Sequence, residues 1–247
     1  MAGADLAKLA ASRVELTWSD RNLYSVLVKH FANAHPDLLD YAEKARIRFD
    51  PADPLFGYIP RLTAKDDARP FIERLIGRYM GVAKKKGLSF TWILEHLRDG
   101  NGKVSPRTLI SLVELAAQRE EGQARATGMQ LIHPTALRQA LDQVSENHVE
   151  SSFDEMGWMY GLKDRLADKR EVPWERRDLE RLLKNRFDDS WGAEGKDIRP
   201  PASDYRELLD VLVELGIIRP RSKDKYDVPD LYLKGLNLLR RGGVSRQ

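Results

Sequence analysis

Apolar residues recur at helical spacing through most of the chain. Ser19-Asp20 offers a helix cap, and Leu23, Val26, Leu27 and Phe31 follow three and four apart, which predicts an amphipathic helix over 20–33. Just before it, Val14-Glu15-Leu16-Thr17-Trp18 alternates apolar and polar, the period of a short half-buried strand, and no sheet partner is in view. Pro36, Pro51, Pro54 and Pro60 mark 34–68 as connector, with one short helix expected over 37–44. From Ala68 the stripe Phe71, Ile72, Leu75, Ile76 and Tyr79 runs to about Gly81, ahead of Lys84-Lys85-Lys86, which is expected to be solvated. Ser89 is expected to cap a helix with Trp92, Ile93, His96 and Leu97 on one side, stopped by Asp99-Gly100-Asn101-Gly102. Ser105 as N-cap and Pro106 at the first helical position open the next helix, with Leu109, Ile110, Leu112, Val113 and Ala116 as its buried face and its end near Arg119.

Residues 118–128 are polar and read as a helix tail plus linker. A second helical block follows from His133-Pro134-Thr135, with Leu137, Ala140, Leu141 and Val144, then helices around 151–167 and 175–187. Trp191 to Pro201 breaks the pattern. Ser203-Asp204 caps a helix through Leu208, Leu209 and Leu212 to Gly216, and Ile217-Ile218-Arg219 and Tyr226-Asp227-Val228 are strand candidates flanking a charged tip. Helices followed by a basic hairpin is the order of a winged-helix domain. The expected fold is therefore mainly α: a multi-helix, lid-like bundle over 1–128, then a winged-helix-like domain with a small β-hairpin over 129–247.

The 247 residues carry 42% hydrophobic and 32% charged side chains, a globular profile with enough apolar material for a core. No run reaches membrane-span length and the start lacks a signal-peptide pattern, so a cytoplasmic chain without a membrane partner is expected. The absence of cysteine excludes disulfides, thiolate metal sites and a Cys nucleophile. Net charge is only +3, but from Ile217 to Gln247 eight basic residues face three acidic ones. The positive excess lies at the C-terminal end.

Little in the chain suggests catalysis or a resident metal. Gly100-Asn101-Gly102-Lys103 superficially resembles a phosphate loop, but Leu97 stands where a Walker A sequence needs Gly and Val104 where it needs Ser or Thr. No apolar strand closes on an acidic pair, so Walker B is missing too. The histidines, His30, His35, His96, His133 and His148, lack metal-ligand spacing, and the adjacent acid pairs Asp66-Asp67, Glu120-Glu121 and Asp188-Asp189 point apart on a helix. Trp92, Trp158, Trp174, Met156 and Met159 are expected to pack in the core or between domains rather than stack on bases. Arg107, held in the first turn by Pro106, is either a solvated helix-start residue or an arm reaching a phosphate. Arg219, Arg221, Lys223 and Lys225, extended by Arg240 and Arg241, are likewise either a solvated hairpin or a contact for nucleic-acid phosphates.

The order of motifs resembles the C-terminal half of bacterial P-loop ATPases of the AAA/STAND type. Val14-Glu-Leu-Thr-Trp18 with Asp20 and Leu23 is similar to the last core strand and the entry to the lid. Gly87-Leu-Ser-Phe-Thr-Trp92, Asp99-Gly100 and Ser105-Pro-Arg-Thr-Leu-Ile110 are similar to the lid itself. Tyr205 to Gly216 with Ile217-Ile218, then Tyr226-Asp-Val-Pro-Asp-Leu-Tyr232 with Gly235-Leu236, are similar to the last helix, wing and closing segment of an appended winged helix. The resemblance implies a lid closing on ATP held by a separate P-loop core, in the same protein or a partner, with Arg107 as a sensor-2 arginine. It also implies a homo-oligomeric switch, several similar proteins belonging to bacterial antiphage defence. Since Walker A, Walker B and the core sheet are missing, the chain is expected to be a non-catalytic regulatory region coupling nucleotide state to nucleic-acid or protein binding. Two other readings are a freestanding winged-helix DNA-binding transcription regulator and a protein-interaction scaffold.

Overall fold

The computed structural model describes residues 17–81, 86–121, 130–193 and 196–241. Helices dominate it: α1 (Asp20–Ala34), α2 (Pro36–Lys44), α3 (Arg69–Ile76), α4 (Ser89–Leu97), α5 (Pro106–Glu120), α6 (Pro134–Glu155) and α7 (Met159–Leu166) come first. Strands β1 (Glu171–Val172) and β2 (Trp174–Glu175) follow, then α8 (Arg176–Lys184), α9 (Tyr205–Glu214), the hairpin β3 (Arg219–Ser222) and β4 (Lys225–Asp227), α10 (Asp230–Leu233) and β5 (Leu239–Arg240). Among the described residues, no helix is long and apolar enough to cross a membrane.

Side chains at the helix starts account for much of this order. Ser19 Oγ accepts the Asn22 amide, the His133 ring accepts that of Thr135 ahead of Pro134, and Asp204 Oδ1 accepts those of Arg206 and Glu207. Behind these caps, Leu23, Tyr24, Leu27 and Val28 on α1, and Leu208, Leu209 and Leu212 on α9, form buried faces. Burying each such side chain is worth about 1.5–3 kcal/mol.

Several expected boundaries move. Ser89 lies inside α4, with Leu88 at the N-cap; its hydroxyl donates to the Gly77 carbonyl and its amide to that of Arg78. The segment folding back from α3 thus takes the group that would have capped α4. Ser105 occupies the N-cap of α5, but its side chain makes no capping bond. The helix expected over 151–167 is divided: residues up to Glu155 close α6, because Val149, Ser152 and Phe153 extend its buried stripe, and after a break at Met156 the remainder forms α7. Ile217 and Ile218 are not strand: both are buried and their amides return to the Leu212 carbonyl, finishing α9, so β3 begins at Arg219. Val14 to Leu16 of the expected opening strand, Lys84, Lys85 and most of the 118–128 linker lie outside the described residues, and Thr17 and Trp18 are irregular.

One contiguous cluster of buried side chains runs from Leu23 to Leu238. The α5 and α6 helices pack along each other across the position where the two regions were expected to divide. Trp92, Trp158, Trp174 and Met159 all sit in this cluster.

The C-terminal part has a simple topology. α7, β2, α8, α9 and the hairpin follow in that order, and the three strands make an antiparallel sheet in the order β2-β4-β3. Trp174 pairs with Tyr226 and Arg219 with Asp227, with an irregularity between Pro220 and Ser222. Separately, β1 and β5 run parallel, setting Val172 beside Arg240.

Candidate functional site

The turn between α4 and α5 is built around one carboxylate. Asp99 Oδ1 accepts the amides of Asn101 and Lys103 at 2.9 and 2.8 Å, and the Arg98 guanidinium bridges the Gly102 carbonyl to Asp20 at the start of α1. Although burial opposes it, the bonds from Lys65 and Arg98 hold the Asp20 carboxyl below its ordinary range. The turn docks on the end of α9: the Gly100 amide donates to the Gly216 carbonyl at 2.6 Å and Asn101 Nδ2 to that of Glu214 at 2.7 Å. The Glu214 carbonyl is one that a helix end leaves without a partner, and Gly216 follows just past that end. The lookalike phosphate loop is thus a C-terminal cap for a distant helix.

Gly100 has no room for a side chain. A Cβ there would stand 2.6 Å from the Ile218 carbonyl oxygen and 2.8 Å from that of Gly216, both rigid backbone. Gly100→Ala is expected to cost about 1–3 kcal/mol by denaturant titration, with faster amide exchange over 216–227; an unchanged midpoint would mean that the turn does not dock.

Arg107 follows this turn as the second residue of α5, and its side chain is exposed. With Ser105, Ser111, Asn147, His148, Ser151 and Glu155, it lines a groove of about 450 Å³ between α5 and α6. Burial lowers the pKa of His148 below its ordinary value, so its ring is neutral at pH 7. The buried Nε2 has no partner among the described residues, and the ring meets Tyr232 edge-on at 4.9 Å. A guanidinium above neutral hydroxyl and amide donors suits an anionic group.

The hairpin separates the expected cations into two kinds. Arg221 and Lys223 are exposed and make no ion pair among the described residues. Lys225 pairs with Glu175 across the sheet at 3.1 Å, and Arg219 leans toward Asp227 at 3.5 Å. Arg241 is 82% exposed, 3.8 Å from Glu171.

Arg240 corrects the expectation of a solvent-facing cation. The parallel pairing of β5 with β1 turns its side chain inward, where only 11% is exposed. There it donates to both oxygens of Asp227 at 2.7 and 2.8 Å, to Asp230 at 2.8 Å and to the Val228 carbonyl. Burial works against the charge, but Asp230 and Asp227 raise the guanidinium pKa further. Asp227 and Asp230 were not among the expected site residues, and His96, expected only on a helix face and without a ligand role, lies 3.7 Å from Asp230.

The exposed side of α9 is acidic, presenting Glu207, Asp210 and Glu214 against Arg206 alone. Among the described residues, no group of three or more His, Asp or Glu is placed to hold a metal ion. No family model matches the chain, and no curated protein and no solved structure matches it.

Proposed function

We propose that this chain is the non-catalytic regulatory region of a P-loop ATPase of the AAA/STAND type, a lid followed by a winged helix. It couples a nucleotide sensed at Arg107 to a contact made by the basic hairpin. The observation that carries this reading is the docking of the 99–103 turn on the end of α9. The turn leads directly into Arg107, and α9 leads through Gly216 into β3, so a shift of the sensor helix is passed to the hairpin over a few rigid bonds. The winged-helix part rests on the order α7-β2-α8-α9-β3-β4 and the sheet order β2-β4-β3. Arg107 and its groove, offered to phosphates held elsewhere, fill the place of the sensor.

The acidic face of α9 bears on the hairpin's partner. A helix presenting Glu207, Asp210 and Glu214 is repelled from a DNA groove, which disfavours the freestanding transcription regulator that inserts this helix. Contact falls to Arg221 and Lys223 at the hairpin tip and to the exposed Arg241 beside β1. Arg219 and Lys225 are partly neutralised, and Arg240 is left out.

Two measurements test the reading. ATP titrated into the chain alone is expected to give no measurable binding or turnover, while the coding sequence ahead of Met1 is expected to contain a strand followed by Gly-x-x-x-x-Gly-Lys-Ser/Thr. ATP hydrolysis by the chain alone would overturn it, and a stop codon shortly upstream of Met1 would require the core to be a separate partner chain, so that failure of the chain to bind any P-loop ATPase would then overturn it as well. For the hairpin, Arg221→Glu with Lys223→Glu is expected to abolish most binding of a 20-bp duplex and to flatten its log–log salt dependence by about two units, at 0.9 per lost phosphate contact. If the unaltered chain ignores the duplex at low salt, the partner is a protein instead.

A further inference from the structure

Where α4, α6, α10 and β5 meet, a cleft of about 590 Å³ opens to solvent. That size falls within the range of small-molecule sites, which are mostly apolar with a few placed polar groups. One wall is the stacked pair Trp92 and His96, with ring centroids 4.2 Å apart and planes 24° from parallel. The histidine ring is fixed in place. Its Nδ1 lies 2.8 Å from the Trp92 carbonyl, which only accepts, so Nδ1 carries the hydrogen and Nε2 faces Asp230 at 3.7 Å. Leu141, Leu233 and Leu238 line the cleft, and Leu239, 57% exposed, stands at its edge.

The charges around this apolar surface do not cancel. At the base Arg240 is shared by Asp230 and Asp227, and Arg219 leans toward Asp227, so two cations and two acids balance there. Arg138 and Asp142 sit one turn apart on α6, the spacing at which opposite charges usually meet, yet they form no ion pair. Arg138 instead donates to the Met80 carbonyl at 2.5 Å, keeping its guanidinium at the rim. Lys234 is exposed and has no ion pair among the described residues. Two cations and one acid therefore flank a flat aromatic and aliphatic surface.

We propose that this cleft binds a small organic acid with a flat apolar body. The body lies along the Trp92–His96 pair and the leucines, the carboxylate meets Arg138 and Lys234, and Asp142 accepts a hydrogen bond from any ring N–H or O–H. A neutral ligand would leave both cations unanswered, and a cation would face an excess of positive charge. This site is separate from the Arg107 groove and from the hairpin tip, and it does not rest on the function proposed above. Because α4 forms one wall and α10 with β5 another, the occupant would also brace distant parts of the chain.

Three probes of one shape and different charge test the assignment: indole-3-acetate, its neutral amide and tryptamine, followed by NMR shifts of the Trp92 and His96 rings. The acid is expected to bind, the amide about tenfold more weakly, as for the loss of one charge-assisted contact, and the amine not measurably. Lys234→Glu and Leu239→Ser alter exposed residues and should leave the circular dichroism unchanged. The first should remove the preference for the acid, and the second should weaken acid and amide together. Equal affinity for all three probes, no shift at Trp92 and His96, or binding indifferent to both variants would overturn the proposal.

Discussion

Asp227→Ala is expected to lower the unfolding free energy by about 3–5 kcal/mol, because it strips the main partner from a buried guanidinium. Only 3% of the Asp227 side chain is exposed, and both of its oxygens accept from Arg240. Building such a pair costs several kcal/mol of desolvation per ion, so the intact pair is worth far less than its breakage costs. Once Asp227 is gone, the cation must rely on Asp230, which also faces His96, or draw water between β4 and β5. For a chain of this length the loss corresponds to a fall in Tm of about 6–20 °C. Asp227→Asn keeps the shape but not the charge, and should fall between the wild type and the alanine variant. A fall under about 1 kcal/mol for the alanine variant would mean that Arg240 is solvated and that β5 does not pair with β1 as described.

The helices were legible in the sequence because their signals are local. The buried stripes of α1, α5 and α9 repeat every three to four residues, and Ser19, Pro106 and Asp204 mark their starts. What the periodicity missed depends on partners far away in sequence. Ser89 reads as a cap until the Gly77 carbonyl arrives to take its hydroxyl. The run Ile217-Ile218 reads as strand until the Leu212 carbonyl claims both amides. The same holds for the candidate sites. Arg221 and Lys223 at the hairpin tip are exposed as the charge pattern suggests, but nothing near Arg240 in sequence announces that β1, nearly seventy residues earlier, will turn it inward. The acidic face of α9 was written in the sequence, yet its importance emerges only once α9 is placed beside the hairpin.

Trp191→Ala should be comparably damaging, although the sequence around it reads only as a break between helices. The indole is fully buried, and its N–H donates to the Phe187 carbonyl at 2.9 Å. Its backbone joins two segments, with the amide donating to Ile198 and the carbonyl accepting from Gly161 of α7 at 2.7 Å. At 3.7 Å from the ring centroid lies the guanidinium of Arg165, a buried cation that has no ion pair among the described residues and whose pKa is lowered by burial. Carbonyls of Gly161 and Arg186 accept from it, Asp189 and Asp164 favour its charge from a distance, and the ring adds a direct contact with the cation. Removing a buried Trp costs about 3–5 kcal/mol in lost burial and cavity, and a desolvated cation–π contact adds up to about 2 kcal/mol. The two contributions can be separated. In an Arg165→Met background, Trp191→Ala should cost less than in the wild type, the difference being a coupling of about 1–2 kcal/mol. Strict additivity would show that the stacking carries no energy and that Trp191 acts only by filling space. Loss of cooperative unfolding in the Trp191→Ala variant alone would show instead that this ring is what holds α7 to the segment between α8 and α9.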